Sequence, residues 1–484
     1  MKYAWLVIAV FAARFFATAI AFPSGDGDLA WQRWLGGLIA RQHAIPQALG
    51  SETFSAGGAP WLAQEWLFSL VAGAARTGLG WDAFAAGVAL CAVAALALAA
   101  YRAERLGASP RAVALCTALA GLGLFGSFGV RAQVVAWPLL ALYVLLLDLE
   151  GPLAYVAIGV AAVWSNVHAS AVLAPLLAAI FAAGRVVRAR DVRDAGARRA
   201  ALVALGSLAA ICCNPFGWHL PQYAVGLFGN PIKTFITEWK VTDLGDTSFT
   251  LGALPLLLLA MLACAGPGKT RLANLCLLAV FAFLLLGAAR NIALFALVAA
   301  PIVAAALARF AWFAAVVAEP PQNAERARRV AFALPAGALV AALVVGVELV
   351  RHAPPESDLP NAPLRALAAT VGPHRLFCAD FSWCGLAVGV PNVRVFLDGR
   401  ADPYPLAVWQ DYATIARLGS AWRTTLDRRR VDAVLVSRDA PLDQALAQTA
   451  GWHARYGDKA YRLWLREPSR AVSESAWGRR SPRE

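Results

Sequence analysis

The sequence predicts an α-helical polytopic membrane protein of about 11 transmembrane helices, followed by a small C-terminal α/β soluble domain. Two observations carry this. Of 484 residues, 60% are hydrophobic and 15% charged, with a mean hydropathy of +0.59, whereas globular chains carry roughly 25% charged residues. The apolar letters also run in unbroken blocks of roughly fifteen to twenty-five residues, near the ~20 that span a bilayer as a helix, rather than alternating with helical or strand period.

Residues 4–22 form the first block. Lys2 ahead of it and Arg14 inside it suggest a signal peptide, but no A-x-A-like site follows and the run is long enough to span, so it reads as an uncleaved first helix. Further spans are expected at 81–100, 112–129, 132–148, 152–166, 168–184, 200–213, 251–265, 272–288, 291–309 and 330–350. The stretch 152–184 must fold back near Trp164–His168, giving two segments shorter than the ~20 residues of an upright helix. Segment 61–77, which opens with Trp61, Gln64, Glu65 and Trp66, is expected to lie along the surface.

Alternate loops differ in charge. One set carries Arg102, Arg105 and Arg111, the arginines from Arg185 to Arg199, Lys269 and Arg271, and Arg326, Arg328 and Arg329. The other carries Arg33, Arg41 and Arg76 across 23–80, Arg131 alone, Lys233 and Lys240 across 214–250, and Arg290 alone. The positive-inside bias puts the amino terminus in the cytoplasm and the tail from 351 outside. The net charge of +13 is then a topology signal, and no nucleic-acid partner is expected.

The domain reading is a transmembrane domain over 1–350 including a first outer loop at 23–80, a proline-rich linker at 351–360, an outer α/β domain at 361–470, and a disordered basic tail at 471–484. Strand-like runs at Arg375–Cys378, Arg394–Leu397 and Ala433–Ser437 alternate with helix-like stretches near 382–389, 405–428 and 441–450. No GxxxxGK, GxGxxG, HExxH or GxSxG motif is present. Six of the eight cysteines lie in apolar blocks and behave as small hydrophobes. Cys378 and Cys384 lie in soluble sequence without CxxC spacing, which leaves a local disulfide or two free thiols.

With this topology, the polar residues that charge balance does not explain gather at the outer face. They are Asp26 and Asp28, Glu65-Trp66, Arg131 to Gln133, Trp164 to His168, Asn214 to Trp218, Glu238-Trp239 and Arg290-Asn291. A transporter would place ionisable groups near mid-membrane. A cluster at one interface suits an enzyme acting on lipid-borne substrates. The alternative is a non-catalytic polytopic protein, such as a lipid or polysaccharide transporter or an envelope assembly factor, whose polar residues hold helices together.

The ordered set Asp26-Gly27-Asp28-Leu29-Ala30-Trp31, Gly36, Ile45-Pro46, Phe54-Ser55, Gly58-Ala59-Pro60-Trp61 and Glu65-Trp66-Leu67 resembles the GT-C superfamily of multi-pass glycosyltransferases that use polyprenyl-phosphate-linked sugars. So do Trp164-Ser165-Asn166-Val167-His168-Ala169-Ser170, Asn214-Pro215-Phe216-Gly217, Glu238-Trp239, Arg290-Asn291 and Val395-Phe396-Leu397-Asp398-Gly399-Arg400, so that the resemblance covers the whole chain. The sequence departs at Gln32, where such proteins often have His. The resemblance implies a GT-C-like fold and transfer of a sugar from a lipid-linked donor to a glycan, lipid or protein acceptor. It places the protein among membrane lipids of the bacterial inner membrane, with a periplasmic C-terminal domain.

An acceptor hydroxyl must lose a proton as it attacks the anomeric carbon, and one carboxylate suffices. The resemblance puts that general base on Asp28 or Asp26, whereas the residues alone also suit a solvated turn with Asp28 capping a helix from Leu29. Arg131, Arg290 and His168 are the candidates for the donor phosphate, and the two arginines equally suit snorkelling lipid anchors. Trp31, Glu65, Asn166, Asp398 and Arg400 are candidates for sugar or acceptor binding. For Trp31 and Glu65-Trp66 the competing reading is an aromatic belt, and for Asp398-Gly399-Arg400 a turn with an internal ion pair. Paired carboxylates suit a divalent ion, but Gly-Asp-Gly-Asp is too short a ligand set to assign one.

Overall fold

The computed structural model describes residues 3–21, 27–75, 80–149, 151–266, 270–311, 313 and 359–467. Asp26, the expected span at 330–350, most of the linker and the tail at 471–484 lie outside the described residues. The chain forms two compact units, one of Met1–Ile45 and Leu62–Ala353, the other of Pro46–Trp61 and Pro354–Glu484.

The first unit is helical: α1 Ala4–Ala21, α2 Gly27–Gln42, α3 Trp66–Ala74, α4 Trp81–Arg105, α5 Pro110–Phe125, α6 Ala132–Asp148, α7 Val156–Val167, α8 Leu173–Ala189, α9 Ala195–Ala210, α10 His219–Gly226, α11 Leu254–Ala265, α12 Leu272–Gly287 and α13 Ile292–Leu307. Trp81–Arg105, Ala169–Ala189 and Ala289–Leu307 are long and apolar enough to cross a membrane, and six more apolar helices are shorter. The hairpin over 152–184 does break at His168. Its second arm, however, runs on to Ala189 and is not short, because the helix continues past Arg185 and Arg188.

Local sequence fixes several starts. Ser109 caps α5 ahead of Pro110, its Oγ accepting the Ala112 N–H at 3.4 Å, and Asp194 caps α9 by accepting the Ala197 N–H at 2.8 Å. Helix α13 is apolar all round and buried along nearly its whole length, as a central helix must be. Near the ends of α4 and α6, the buried Arg102 pairs with Asp148 at 2.6 Å and donates to Asn274 Oδ1 at 3.3 Å. Arg185 there donates to the Leu147 carbonyl at 3.0 Å.

Helices α2 and α3 meet backbone to backbone. A Cβ on Gly36 would stand 1.8 Å from the Ser69 carbonyl oxygen, and one on Gly73 would stand 2.7 Å from the carbonyl carbon of Gly36. Segment 61–77 was expected to start amphipathic, but it is helical only from Trp66 and buries Phe68, Ser69 and Ala72.

The second unit carries a five-stranded sheet in the order β2-β1-β3-β5-β4. Strands β1 (His374–Cys378), β2 (Val393–Val395) and β3 (Ala433–Ser437) are parallel; β5 (Tyr461–Arg466) runs antiparallel to β3 and to β4 (Trp452–Gly457). The last hairpin and the helix Asn361–Ala368 were not read from the sequence. The stretch 405–428 is two helices, Leu406–Ala416 and Trp422–Arg428, separated where Leu418 takes a φ of 54° beside Gly419. Cys378 and Cys384 form a disulfide.

Segment 46–61 packs within this second unit. Thr53 forms a parallel bridge with Val395, and the Val395 N–H donates to the Glu52 carbonyl at 2.8 Å, so the segment covers edge strand β2. Arg400 makes a bidentate pair with the fully buried Asp398 at 2.6 and 2.9 Å and an ion pair with Glu52 at 2.6 Å, while the Tyr404 hydroxyl donates to Asp398 at 2.8 Å.

The crossing of α2 and α3 gives a prediction of sign. Gly→Ala inside a helix ordinarily stabilises by roughly 0.5–1 kcal/mol. Gly87 in α4 has open space around its Cβ position, so Gly87→Ala should raise the thermal-unfolding midpoint of the detergent-solubilised protein. Gly36→Ala should lower it, because backbone must move; a rise in both would show that the helices are not locked at this point.

Candidate active site

The expected residues of the first unit that are described assemble at one end of its helices, and most stand where a helix starts. Asp28 is in the first turn of α2, where the helix dipole favours a carboxylate. The helix begins at Gly27, two residues before the expected Leu29, so Asp28 lies inside the first turn instead of serving as its cap. Glu65 immediately precedes α3, and Arg131, in extended conformation, precedes α6. His168 is the extended residue between α7 and the 3-10 turn that leads into α8, and Arg290 sits in a 3-10 turn entering α13.

Side-chain contacts join these starts. Asp28 Oδ1 accepts the Trp31 indole N–H at 3.2 Å, and Arg131 Nη2 stands 4.0 Å from Asp28 Oδ2. Arg131 also forms an ion pair with Glu238. The Ala289 N–H donates to the Lys240 carbonyl at 3.0 Å, which seats the Arg290 guanidinium 5.1 Å above the Trp239 ring. Deeper in, Gln32 Nε2 donates to Glu65 Oε2, and His168 Nε2 stands 3.7 Å from Glu65 Oε1. Gln64 Oε1 accepts the Ala169 N–H at 2.6 Å, tying the segment before α3 to the break at His168.

The cluster thus has a wet mouth and a dry floor. Side-chain exposure is 48% for Glu238, 31% for Asp28 and 27% for Arg131, but 16% for Glu65 and 11% for His168. Burial pushes the Glu65 carboxyl up, and the opposing pull of Arg290, of hydrogen bonds from Gln64 and Gln32, and of Arg131 does not restore it. Burial, and then the Arg290 charge, push the His168 imidazole down to about 3, so it is neutral at physiological pH. For Glu238 burial acts upward, but the Arg131 charge and hydrogen bond, with Arg290, outweigh it and hold the carboxyl below its usual range.

Other expected residues are placed differently. Asn166 donates to the Ala162 and Cys213 carbonyls, each at 2.8 Å, and accepts the Trp66 indole N–H at 3.2 Å, so all its polar atoms serve to tie α7 to its neighbours. Asp398 and Arg400 lie buried in the second unit, bonded to one another, to Glu52 and to Tyr404. Glu238, Gln64 and Ser170 were not singled out as site residues. For Glu238 the signal was there, in an isolated Glu-Trp pair in a loop between apolar blocks. Among the described residues no group of three or more His, Cys, Asp or Glu side chains converges as a metal site.

His168 supplies a pH test. A histidine ordinarily titrates near 6.5, so the unfolded chain binds the proton more tightly than the folded one. Stability is intact above about pH 6.5 and is lost as the pH falls from there toward 3, by about 2 kcal/mol at pH 5. The thermal-unfolding midpoint in detergent should therefore drop between pH 7 and pH 5, and His168→Gln, which keeps an N–H and cannot charge, should flatten that drop. Parallel slopes in the two proteins would clear His168 of it.

No family model and no curated protein matches the sequence. Solved structures match the fold. The archaeal oligosaccharyltransferase AglB from Archaeoglobus fulgidus, in complex with an inhibitory peptide and a dolichol-phosphate, superposes with a TM-score of 0.57 at 12% identity, over 90% of this chain and 69% of that one. ArnT from Cupriavidus metallidurans, bound to undecaprenyl phosphate, gives 0.51 at 17% identity over 95% of this chain and 97% of that one. The mycobacterial arabinofuranosyltransferase AftD gives 0.53 at 17% identity over 96% of this chain and 42% of that one. At these identities the likeness is one of fold: the chain shares the helical architecture of these structures.

Proposed function

We propose that this protein is a glycosyltransferase that moves a sugar from a polyprenyl-phosphate-linked donor to a glycan, lipid or protein acceptor at the outer face of the bacterial inner membrane. The observation that carries the reading is the mouth of the cluster. A carboxylate, Asp28, stands 4.0 Å from the Arg131 guanidinium, in a fold shared with proteins whose structures hold dolichol-phosphate and undecaprenyl phosphate.

In this reading Asp28 takes the proton of the acceptor hydroxyl as its oxygen attacks the anomeric carbon. The carrier phosphate leaves toward Arg131 and Arg290, whose planar guanidiniums keep their charge at any working pH and bind phosphate oxygens in pairs. Trp31 holds Asp28 by one oxygen, which leaves the other on the Arg131 side. Asp26, two residues away, is the second candidate base. Glu65 lies deeper and serves the sugar. The full burial of Asp398 and Arg400 favours a structural duty over acceptor binding.

Asp28→Asn keeps the size of the side chain and removes its basicity, so transfer should fall by roughly 10²–10⁴-fold with the protein still folded in the membrane. Asp26→Asn should lose less. Sugar transfer at matched expression decides this, and near-normal activity in Asp28→Asn would strip it of the role.

The orientation follows from the loop charges: amino terminus in the cytoplasm, residues 361–470 in the periplasm. Reporter fusions at Arg190 and Asp432 should therefore report opposite sides. A cytoplasmic signal at Asp432, or the same side for both, would place the cluster on the wrong face for an outward-acting enzyme.

A further inference from the structure

The imidazole of His168 is locked in one tautomer. The Ser170 backbone N–H donates to Nδ1 at 3.1 Å, and the Ser170 hydroxyl lies 2.8 Å from the same nitrogen while accepting the Trp164 indole N–H at 3.0 Å. A ring nitrogen that accepts an N–H carries a lone pair, so in the neutral ring the proton is on Nε2. That Nε2–H is buried and has no hydrogen-bond partner among the described residues.

Opposite it stands the Glu65 carboxyl, which takes side-chain hydrogen bonds from Gln32 and Gln64. Gln32 holds Glu65 Oε2, and Glu65 Oε1 faces His168 Nε2 across 3.7 Å. This gap is too wide for a direct hydrogen bond, and an oxygen beside it, off the line that joins the two atoms, can stand about 2.8 Å from both. A hydroxyl fits, since its oxygen accepts from Nε2–H while its hydrogen goes to Oε1. Against an ionised Glu65 a phosphate oxygen does not fit, because it only accepts and would be set against the carboxylate.

We infer that Glu65 and His168 form a subsite that reads a hydroxyl of the donor sugar, the imidazole N–H and the carboxyl oxygen closing on it from two sides. The inference rests on the proposed lipid-linked donor and adds the part of that donor which this floor recognises. Arg290 lies close enough for its charge to act on both Glu65 and His168. The group seated between them is therefore the one next to the phosphate, namely the sugar. His168 belongs with the sugar and leaves the phosphate to the arginines.

The experiment measures binding to the full-length protein in nanodiscs. The probes are undecaprenyl phosphate alone and undecaprenyl phosphates carrying glucose, mannose, galactose or arabinose. The wild type should bind at least one glycoside more tightly than the bare carrier. His168→Phe should weaken that glycoside by roughly fivefold, the scale of one hydrogen bond, and leave the bare carrier unchanged, which also shows that the variant is folded. His168→Gln, which restores an N–H, should recover most of the loss.

Glu65→Gln is the nearly isosteric second variant. Its amide oxygen is drawn to the Gln32 N–H, so its NH₂ faces Nε2–H; a hydroxyl there accepts from both but loses the acceptor for its own hydrogen, and the glycoside preference should fall here as well. Two results overturn the inference: equal weakening of bare carrier and glycoside in both His168→Phe and Glu65→Gln, which makes these residues phosphate ligands or scaffold, or a wild type with no preference for any glycoside. A wild type that binds no carrier at all gives a different pattern. It removes the proposed donor class, and the subsite goes with it.

Discussion

A chain that crosses hydrocarbon must satisfy each backbone N–H and C=O within its own segment, and every other feature of the first unit follows from where that rule is relaxed. The relaxed positions are helix starts. Arg131, His168 and Ala288 are extended residues that interrupt or precede helices, and the N–H groups of the turn that follows such a residue have no partner in their own helix. His168 answers one of them with its own ring nitrogen, and Gln64 answers another by reaching across from the segment before α3. Polar side chains are thus drawn to these starts by the backbone before any chemistry is asked of them. Because several helices start at the same end, the side chains meet. The glycine contact between α2 and α3 then fixes how far Asp28 stands from Glu65, since both are carried by helices that cannot slide past one another without lifting Gly36 off Ser69.

The gradient of exposure divides the cluster into two kinds of chemistry. At the mouth, charges are half in water, and their mutual attraction is screened and modest. That suits groups which must exchange a proton with an acceptor or release a phosphate. At the floor, desolvation decides. A carboxyl pushed up and an imidazole pushed down stand side by side without the ion pair that a surface Glu and His would make. Arg290 enforces this arrangement: its charge opposes protonation of His168, so the ring stays a neutral donor of one hydrogen bond. A site that recognises hydroxyls by buried, otherwise unpaired donors and acceptors discriminates strongly against ligands that lack them, which a water-filled mouth cannot do.

Much of this was legible in the sequence, for identifiable reasons. Apolar blocks give helices directly: nine of the eleven expected spans coincide with apolar helices among the described residues, three of them long enough to cross, while 200–213 falls on Ala195–Ala210, which starts earlier and is not among them. Polar pairs isolated among apolar residues, such as Glu65-Trp66, Glu238-Trp239 and Arg290-Asn291, stand out because their burial must be compensated. Pairing was not legible. That Glu238 would lie on Arg131 depends on a contact between segments far apart in sequence, and that Ser170 would set the tautomer of His168 depends on the turn the backbone takes between the two. The strands β4 and β5 were missed because Trp452–Gly457 and Tyr461–Arg466 mix polar and apolar residues as an edge hairpin does and resemble the loops around them. The split at Leu418 hides in an otherwise helical run, where a single left-handed residue before Gly419 ends one helix and frees the chain to start the next.

The Asp398-Gly399-Arg400 turn shows how a motif and a site come apart. Its residues carry part of the resemblance to membrane glycosyltransferases, and an acidic-basic pair in the C-terminal domain invites a catalytic reading. Yet Asp398 is fully buried, and its carboxylate is shared by the Arg400 guanidinium and the Tyr404 hydroxyl, while Glu52 takes the remaining face of Arg400. A buried ion pair gains little stability over an apolar pair of the same shape, but removing one partner is severely destabilising. What such a pair supplies is register. Glu52 comes from the stretch that leaves α2 and returns to α3, and the neighbouring Thr53 pairs with Val395 along the sheet edge. The clamp therefore fixes segment 46–61 against the edge of the sheet within the second unit.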